Sequence, residues 1–253
     1  MSQYNRNFLT NVILRIDFAD KEISLESILD NAIKDTCKKF FPILDEKDQE
    51  INDIRINPAD LEKTVVSKRT IKEWHFWGTS KEKHLTINSS GIVIDCKNYR
   101  DFETFNREFS EIFAAFTKKF VDVKFSRVGL RYIDQIKPEG KGRKKWYSFW
   151  KTYINSKLLS GINFFEKDNN FVRHMSDLHM NYEDYMLHLR YGIYNSDFPA
   201  VNKQVNFIID NDIYTTGKYS AAEVETVIIK FHEKAKEVFE NAITNQLRDY
   251  MEL

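Results

Sequence analysis

Apolar and polar residues alternate over positions 9–18. Val12, Leu14, Ile16 and Phe18 interleave with Asn11, Arg15 and Asp17, and this period of two predicts a strand. The period then lengthens. Ser24 is placed to cap a helix whose stripe is Leu25, Ile28, Leu29, Ala32, Ile33 and Phe40, and Pro42 ends it. Positions 43–63 are mixed and read as loop, with a short strand near Ile51 to Ile56. Strands are expected at about 64–77, 83–88 and 91–96, the last two joined through Asn88-Ser89-Ser90-Gly91. Asp101 then caps a helix with Phe102, Phe105, Phe109, Ile112, Phe113, Phe116 and Phe120 on one side.

The second half runs in the same order. A strand is expected over 125–136, then a Lys/Gly loop at 137–145 and an aromatic helix from Trp146 to Leu159. Strands follow at about 171–181, 185–194 and 204–211. Ser220-Ala221-Ala222-Glu223 is a capping box that opens a long helix over about 221–249.

Two short matches reinforce that order. Val12-Ile13-Leu14-Arg15-Ile16-Asp17 recurs loosely as Val128-Gly129-Leu130-Arg131-Tyr132-Ile133-Asp134. Phe102-Glu103-Thr104-Phe105, with Phe109 beyond it, recurs as Val224-Glu225-Thr226-Val227 with Phe231. The offsets are nearly equal and close to half of the 253 residues. The expectation is an α+β chain of two tandem β-α-βββ-α repeats, 1–122 and 123–253, packed as one unit. Its antiparallel sheet carries the helices on one face. In topology this resembles the saddle of TATA-binding-protein type. The alternative is a helix-grip barrel closed by the 221–249 helix.

Alternation also sorts the side chains by face. With Glu183-Asp184 at the centre of a hairpin, His179 lies opposite His188 and Asp177 opposite Arg190. Leu178, Met180, Tyr182, Tyr185, Leu187, Leu189 and Tyr191 then face the helices. Arg15, Arg127, Arg131, His179, His188 and Arg190 would share the uncovered face and make it locally basic, a surface suited to phosphates or an acidic protein. The alternative is an ordinary solvated face, with these groups paired to Asp17, Asp177 and Asp134. The 137–145 loop, KPEGKGRKK, has five basic residues to one acidic and runs into Trp146. Lys141, Arg143, Lys144, Lys145 and Trp146 therefore form a second candidate surface of the kind that binds single-stranded nucleic acid. Its alternative is a charged loop entering a helix of core aromatics.

Composition narrows the rest. The 38 basic and 38 acidic residues cancel, so bulk charge draws the chain toward neither nucleic acid nor membrane. Cys37 and Cys96 have no metal or redox spacing, and no run approaches membrane-spanning length, so a reduced, cytoplasmic setting is the expectation. Walker, GxGxxG, HExxH and GxSxG motifs are missing, and neither cofactor nor metal is expected. His179 and His188 offer an alternative function, a metal-independent RNA endonuclease using one as acid and the other as base. Asp210 and Asp212 read as loop acids, and His232 as a boundary residue beside the Phe231 stripe.

The first strand, Asn11-Val12-Ile13-Leu14-Arg15-Ile16, and the central Val128-Gly129-Leu130-Arg131-Tyr132-Ile133-Asp134 carry a family resemblance. So do Phe231-His232, Phe239 and Ile243-Thr244 on the last helix. On these residues the chain resembles a sporadically distributed family of uncharacterised prokaryotic proteins of about this length, although Asp134 stands where that family often has Asn. The resemblance brings no catalytic residues. It implies a binding or accessory role near mobile or defence genes, with a protein partner such as an effector or toxin, or a nucleic acid. A competing resemblance, to tandem-ferredoxin CRISPR RNA endonucleases, lacks the expected C-terminal glycine-rich loop: Gly217 is the only glycine after Gly192.

Overall fold

The computed structural model describes residues 4–19, 29–55, 65–137, 146–164, 172–200 and 206–252. Nine strands form one antiparallel open sheet: β1 (Leu9–Phe18), β2 (Ile43–Arg55), β3 (Val65–Trp77), β4 (Lys83–Asn88), β5 (Gly91–Cys96), β6 (Phe125–Ile136), β7 (His174–Asn181), β8 (Met186–Tyr194) and β9 (Asn206–Tyr219). Their order is β2-β3-β4-β5-β1-β6-β9-β8-β7. Among the described residues the sheet is open, with β2 and β7 at its ends, and is not closed into a barrel. The two strands with matching sequences, β1 and β6, lie side by side at the centre, and Leu14 sits directly opposite Leu130.

Six helices are described: α1 (Asn31–Phe40), α2 (Phe102–Lys119), α3 (Trp146–Tyr153), α4 (Ser160–Asn163), α5 (Ala221–Ala242) and α6 (Asn245–Glu252). They share one face of the sheet, because their apolar stripes meet the same alternate strand residues. Ile33 and Cys37 of α1, Phe105, Phe109, Ile112, Phe113 and Phe116 of α2, and Val224, Ile228 and Phe231 of α5 pack with Val12, Leu14, Ile16, Val128 and Leu130. A second cluster joins Trp150 and Ile154 to Leu189, Ile193, Phe207, Phe239 and Leu247. Burying each such side chain contributes roughly 1.5–3 kcal/mol, so these two clusters hold the layers together.

Several expectations needed correction. The first described helix starts at Asn31, where the Asp30 carboxylate accepts the Ile33 N–H at 3.0 Å. Ser24 lies outside the described residues. The stretch expected to be mostly loop is the 13-residue edge strand β2, paired with β3 along its whole length. Its charged segment Asp45–Glu50 hides any alternation, as is common for edge strands, which carry charge against unwanted pairing. The first half therefore reads β-α-ββββ-α.

The aromatic helix stops at Tyr153. Ile154 bridges to Ile243, Asn155 caps a 3₁₀ turn over Ser156–Leu159, and α4 follows. The same bridge divides the expected 221–249 helix into α5 and α6, with Ile243 extended. Strand β9 runs on to Tyr219, beyond the expected 211. On β7, at the edge of the sheet, Leu178 and Met180 lie on the helix side yet remain about two-fifths exposed.

Candidate functional site

The face of the sheet away from the helices is the candidate site. Strand register fixes what it displays. On the right half, Arg131 lies opposite Asp212, which lies opposite His188, which lies opposite His179. In the next row Ile133, Asp210, Arg190 and Asp177 follow one another. The hairpin turns at Glu183-Asp184, with Tyr182 N–H bonded to Tyr185 C=O at 2.9 Å, so the pairs His179–His188 and Asp177–Arg190 form as the alternation predicts.

Each of the four guanidiniums on this face lies within 4.0 Å of a carboxylate, and two of them share one. Arg131 donates from Nε and Nη2 to the two oxygens of Asp210, each at 2.7 Å, and Arg190 donates to the same carboxylate. Asp210 and Asp212 therefore belong to a central strand and not to a loop, and their carboxylates decide the charge of the face. Arg127 lies 3.9 Å from Asp212 and stacks over the Tyr214 ring. Burial pushes the Asp212 carboxyl up, while Arg127 and Arg131 pull it back down. Arg15 bonds Asp17 at 2.8 Å, half-exposed. Arg15 and Arg131 thus hold the same place in their strands but different environments. Arg15→Glu is expected to change stability by only about 0–1 kcal/mol, as for exposed pairs, and thermal melting checks it.

His179 and His188 share Asp177. Their Nε2 atoms lie 3.0 and 2.9 Å from its Oδ1, and the rings stack at 4.0 Å with 17° between planes. A second histidine pair occupies the left half. His75 Nδ1 is 3.0 Å from His84 Nε2, and His75 Nε2 is 3.2 Å from Glu73. Trp77 covers His84 at 3.7 Å, and burial holds the His84 pKa down to about 4.

Of the basic loop, Lys141, Arg143, Lys144 and Lys145 lie outside the described residues. Trp146 is the first residue of α3.

Asp134, expected to pair with Arg131, lies on the opposite face with Tyr132 and Ile136. It is almost fully buried, and burial alone raises its pKa to about 8. It lines a cavity of about 290 Å³ with Phe8, Tyr99, Phe102 and Phe239. His232 is also interior, not at a boundary: its ring lies on Phe102 at 3.8 Å, and its Nδ1 is 2.8 Å from the Tyr132 hydroxyl. Burial pushes the His232 pKa down to about 3, so this imidazole is neutral. The sequence signal for Asp134 was available, since alternation from Leu130 through Tyr132 already puts it inward.

No protein-family model matches the chain, and no curated protein or solved structure is significantly similar to it.

Proposed function

We propose that this protein is a non-catalytic binding or accessory module that engages another protein through the open face of its sheet. The observation that carries the reading is that the arginines of that face are already engaged. Each of Arg15, Arg127, Arg131 and Arg190 meets a carboxylate of its own or a neighbouring strand. Phosphate binding draws on cations free to meet it, whereas a protein interface tolerates a surface whose charged groups already pair with one another. RNA cleavage by His179 and His188 would need the two imidazoles on either side of a phosphodiester, and their stacking on one carboxylate favours the binding reading instead. The prokaryotic defence or toxin-regulating setting, in the cytoplasm, is part of the same proposal.

We also read the halves as a duplication around the β1–β6 pair. The strand order is the same from either side of that pair, apart from the additional β2. The two-fold rotation that carries Leu14 onto Leu130 and Arg15 onto Arg131 also carries His75 onto His179 and Glu73 onto Asp177, strand row by strand row. The saddle of TATA-binding-protein type remains a likeness of topology, and topology does not assign a role.

Affinity purification from the native host tests the function. The tagged chain should retain a protein partner after nuclease treatment and in high salt. A variant carrying Ile13→Lys and Tyr214→Ala, both on the open face, should lose it while melting as the unchanged chain does. Release by nuclease, with a steep loss of binding as salt rises, would move the assignment to nucleic acid.

A further inference from the structure

We infer that Asp177, His179 and His188 form a site for a first-row divalent transition metal, with at least one coordination position open to solvent. The donors are two imidazole nitrogens and one carboxylate oxygen, a set that suits Zn²⁺, Co²⁺, Ni²⁺ or Cu²⁺ and not the oxygen-seeking Mg²⁺ or Ca²⁺. Their donor atoms all lie within 4.8 Å of one another.

The spacing is close to what a metal needs. Zinc bonds of 2.0–2.1 Å in tetrahedral geometry put neighbouring donors about 3.3 Å apart. The two Nε2 atoms already stand 3.0 and 2.9 Å from Asp177 Oδ1. An opening of a few tenths of an ångström admits the ion, and the exposed side chains of Asp177 and His179 have room to make it. Both imidazoles present Nε2 to the same point, as they would to a shared metal.

The surroundings leave the carboxylate available. Arg190 lies directly opposite Asp177, yet its guanidinium is drawn to Asp210 on the other side. Among the described residues, Asp177 pairs with the two histidines. His188 lies beside Asp212 in register, which places a further carboxylate behind the site. The backbone is held by a tight hairpin and by pairing of β8 with β9, so the donors sit on a rigid platform. The histidine pair in the left half is arranged differently. His75 stands between Glu73 and His84, so its donors form a line and do not converge.

The test uses the full, untagged chain after dialysis against a chelator. Zn²⁺ is titrated by calorimetry and Co²⁺ by visible absorption, near pH 7.5. One equivalent should bind, with the Co²⁺ bands of a four- or five-coordinate ion. His179→Ala, His188→Ala and Asp177→Asn should each weaken binding about tenfold or more, with unchanged melting in chelator. His75→Ala should leave the titration as it was. Absence of saturable binding up to millimolar metal would overturn the site. So would binding that survives all three substitutions or disappears with His75→Ala. None of these outcomes depends on a protein partner, so the site and the proposed function stand or fall separately.

Discussion

Asp134→Asn is expected to flatten the alkaline side of the stability profile. The folded chain keeps a proton on Asp134 up to a pH of about 8, whereas an unfolded Asp releases it near pH ~4. Between those values the unfolded state holds fewer protons, so raising the pH favours unfolding by about 1.4 kcal/mol per pH unit. Stability from this group is complete below pH ~4 and is spent by about pH 8. The neutral amide has no such proton to keep. At pH 7.5 the variant should exceed the parent by roughly 2–3 kcal/mol after allowing for a buried amide, and the two should converge toward pH 5. Urea denaturation at several pH values reads both effects. On the acid side the buried neutral His232 and the depressed His84 act in the opposite sense, because the unfolded chain gains protons there first. The parent should therefore be most stable near pH ~6.5, the ordinary histidine value. Equal alkaline slopes in parent and variant would show that Asp134 is ionised in the folded chain.

Asp210→Ala is expected to cost about 2–4 kcal/mol. Its carboxylate takes both Arg131 and Arg190, and so ties β6, β9 and β8 together across the open face. Removing it leaves two half-buried guanidiniums without their acceptor, which is the expensive way to break an ion pair. Replacing all three together, Asp210→Leu with Arg131→Met and Arg190→Met, should recover much of the loss, because no uncompensated charge remains. Chemical denaturation of both variants distinguishes a network of this kind from the exposed Arg15–Asp17 pair. A loss below 1 kcal/mol in Asp210→Ala would place Asp210 with that exposed pair.

The central strands and the register of the 174–194 hairpin were legible because one face is buried, and a slip of one residue would expose Leu187, Leu189 and Tyr191. The aromatic stripe of α2 was legible for the same reason. Strand β2 was not, since its residues 45–50 are exposed on both faces and need no alternation. The tail of β9 was hidden by Asp210-Asn211-Asp212, where Asn211 turns inward to the Ala235 carbonyl at 3.3 Å while both neighbours meet Arg residues. The break between α5 and α6 has one weak local sign, Thr244, whose hydroxyl accepts the Leu247 N–H at 3.4 Å. The break coincides with a long-range bridge, Ile154 to Ile243, that no window of sequence contains. At the site, alternation placed Arg15, Arg131, His179, His188 and Arg190 on one face but left their partners open. Arg131 lies far along the chain from Asp210, and such a pairing is decided only when the strands are ordered.

The middle of this sheet is assembled from remote pieces of chain. β1 takes residues 91–96 along one edge and residues 125–134 along the other. The described start of the chain meets its far end, where Arg6 N–H reaches the Met251 carbonyl at 2.9 Å. Closing such distant contacts spends chain entropy before any burial repays it, so folding should be slow and high in contact order. A fragment ending near Val121 would display the raw edge of β1, and one starting there would display the raw edge of β6. Each edge is long, apolar on one side and ready to pair with a copy of itself. Proteolysis between α2 and β6 should therefore yield insoluble pieces and not two working halves.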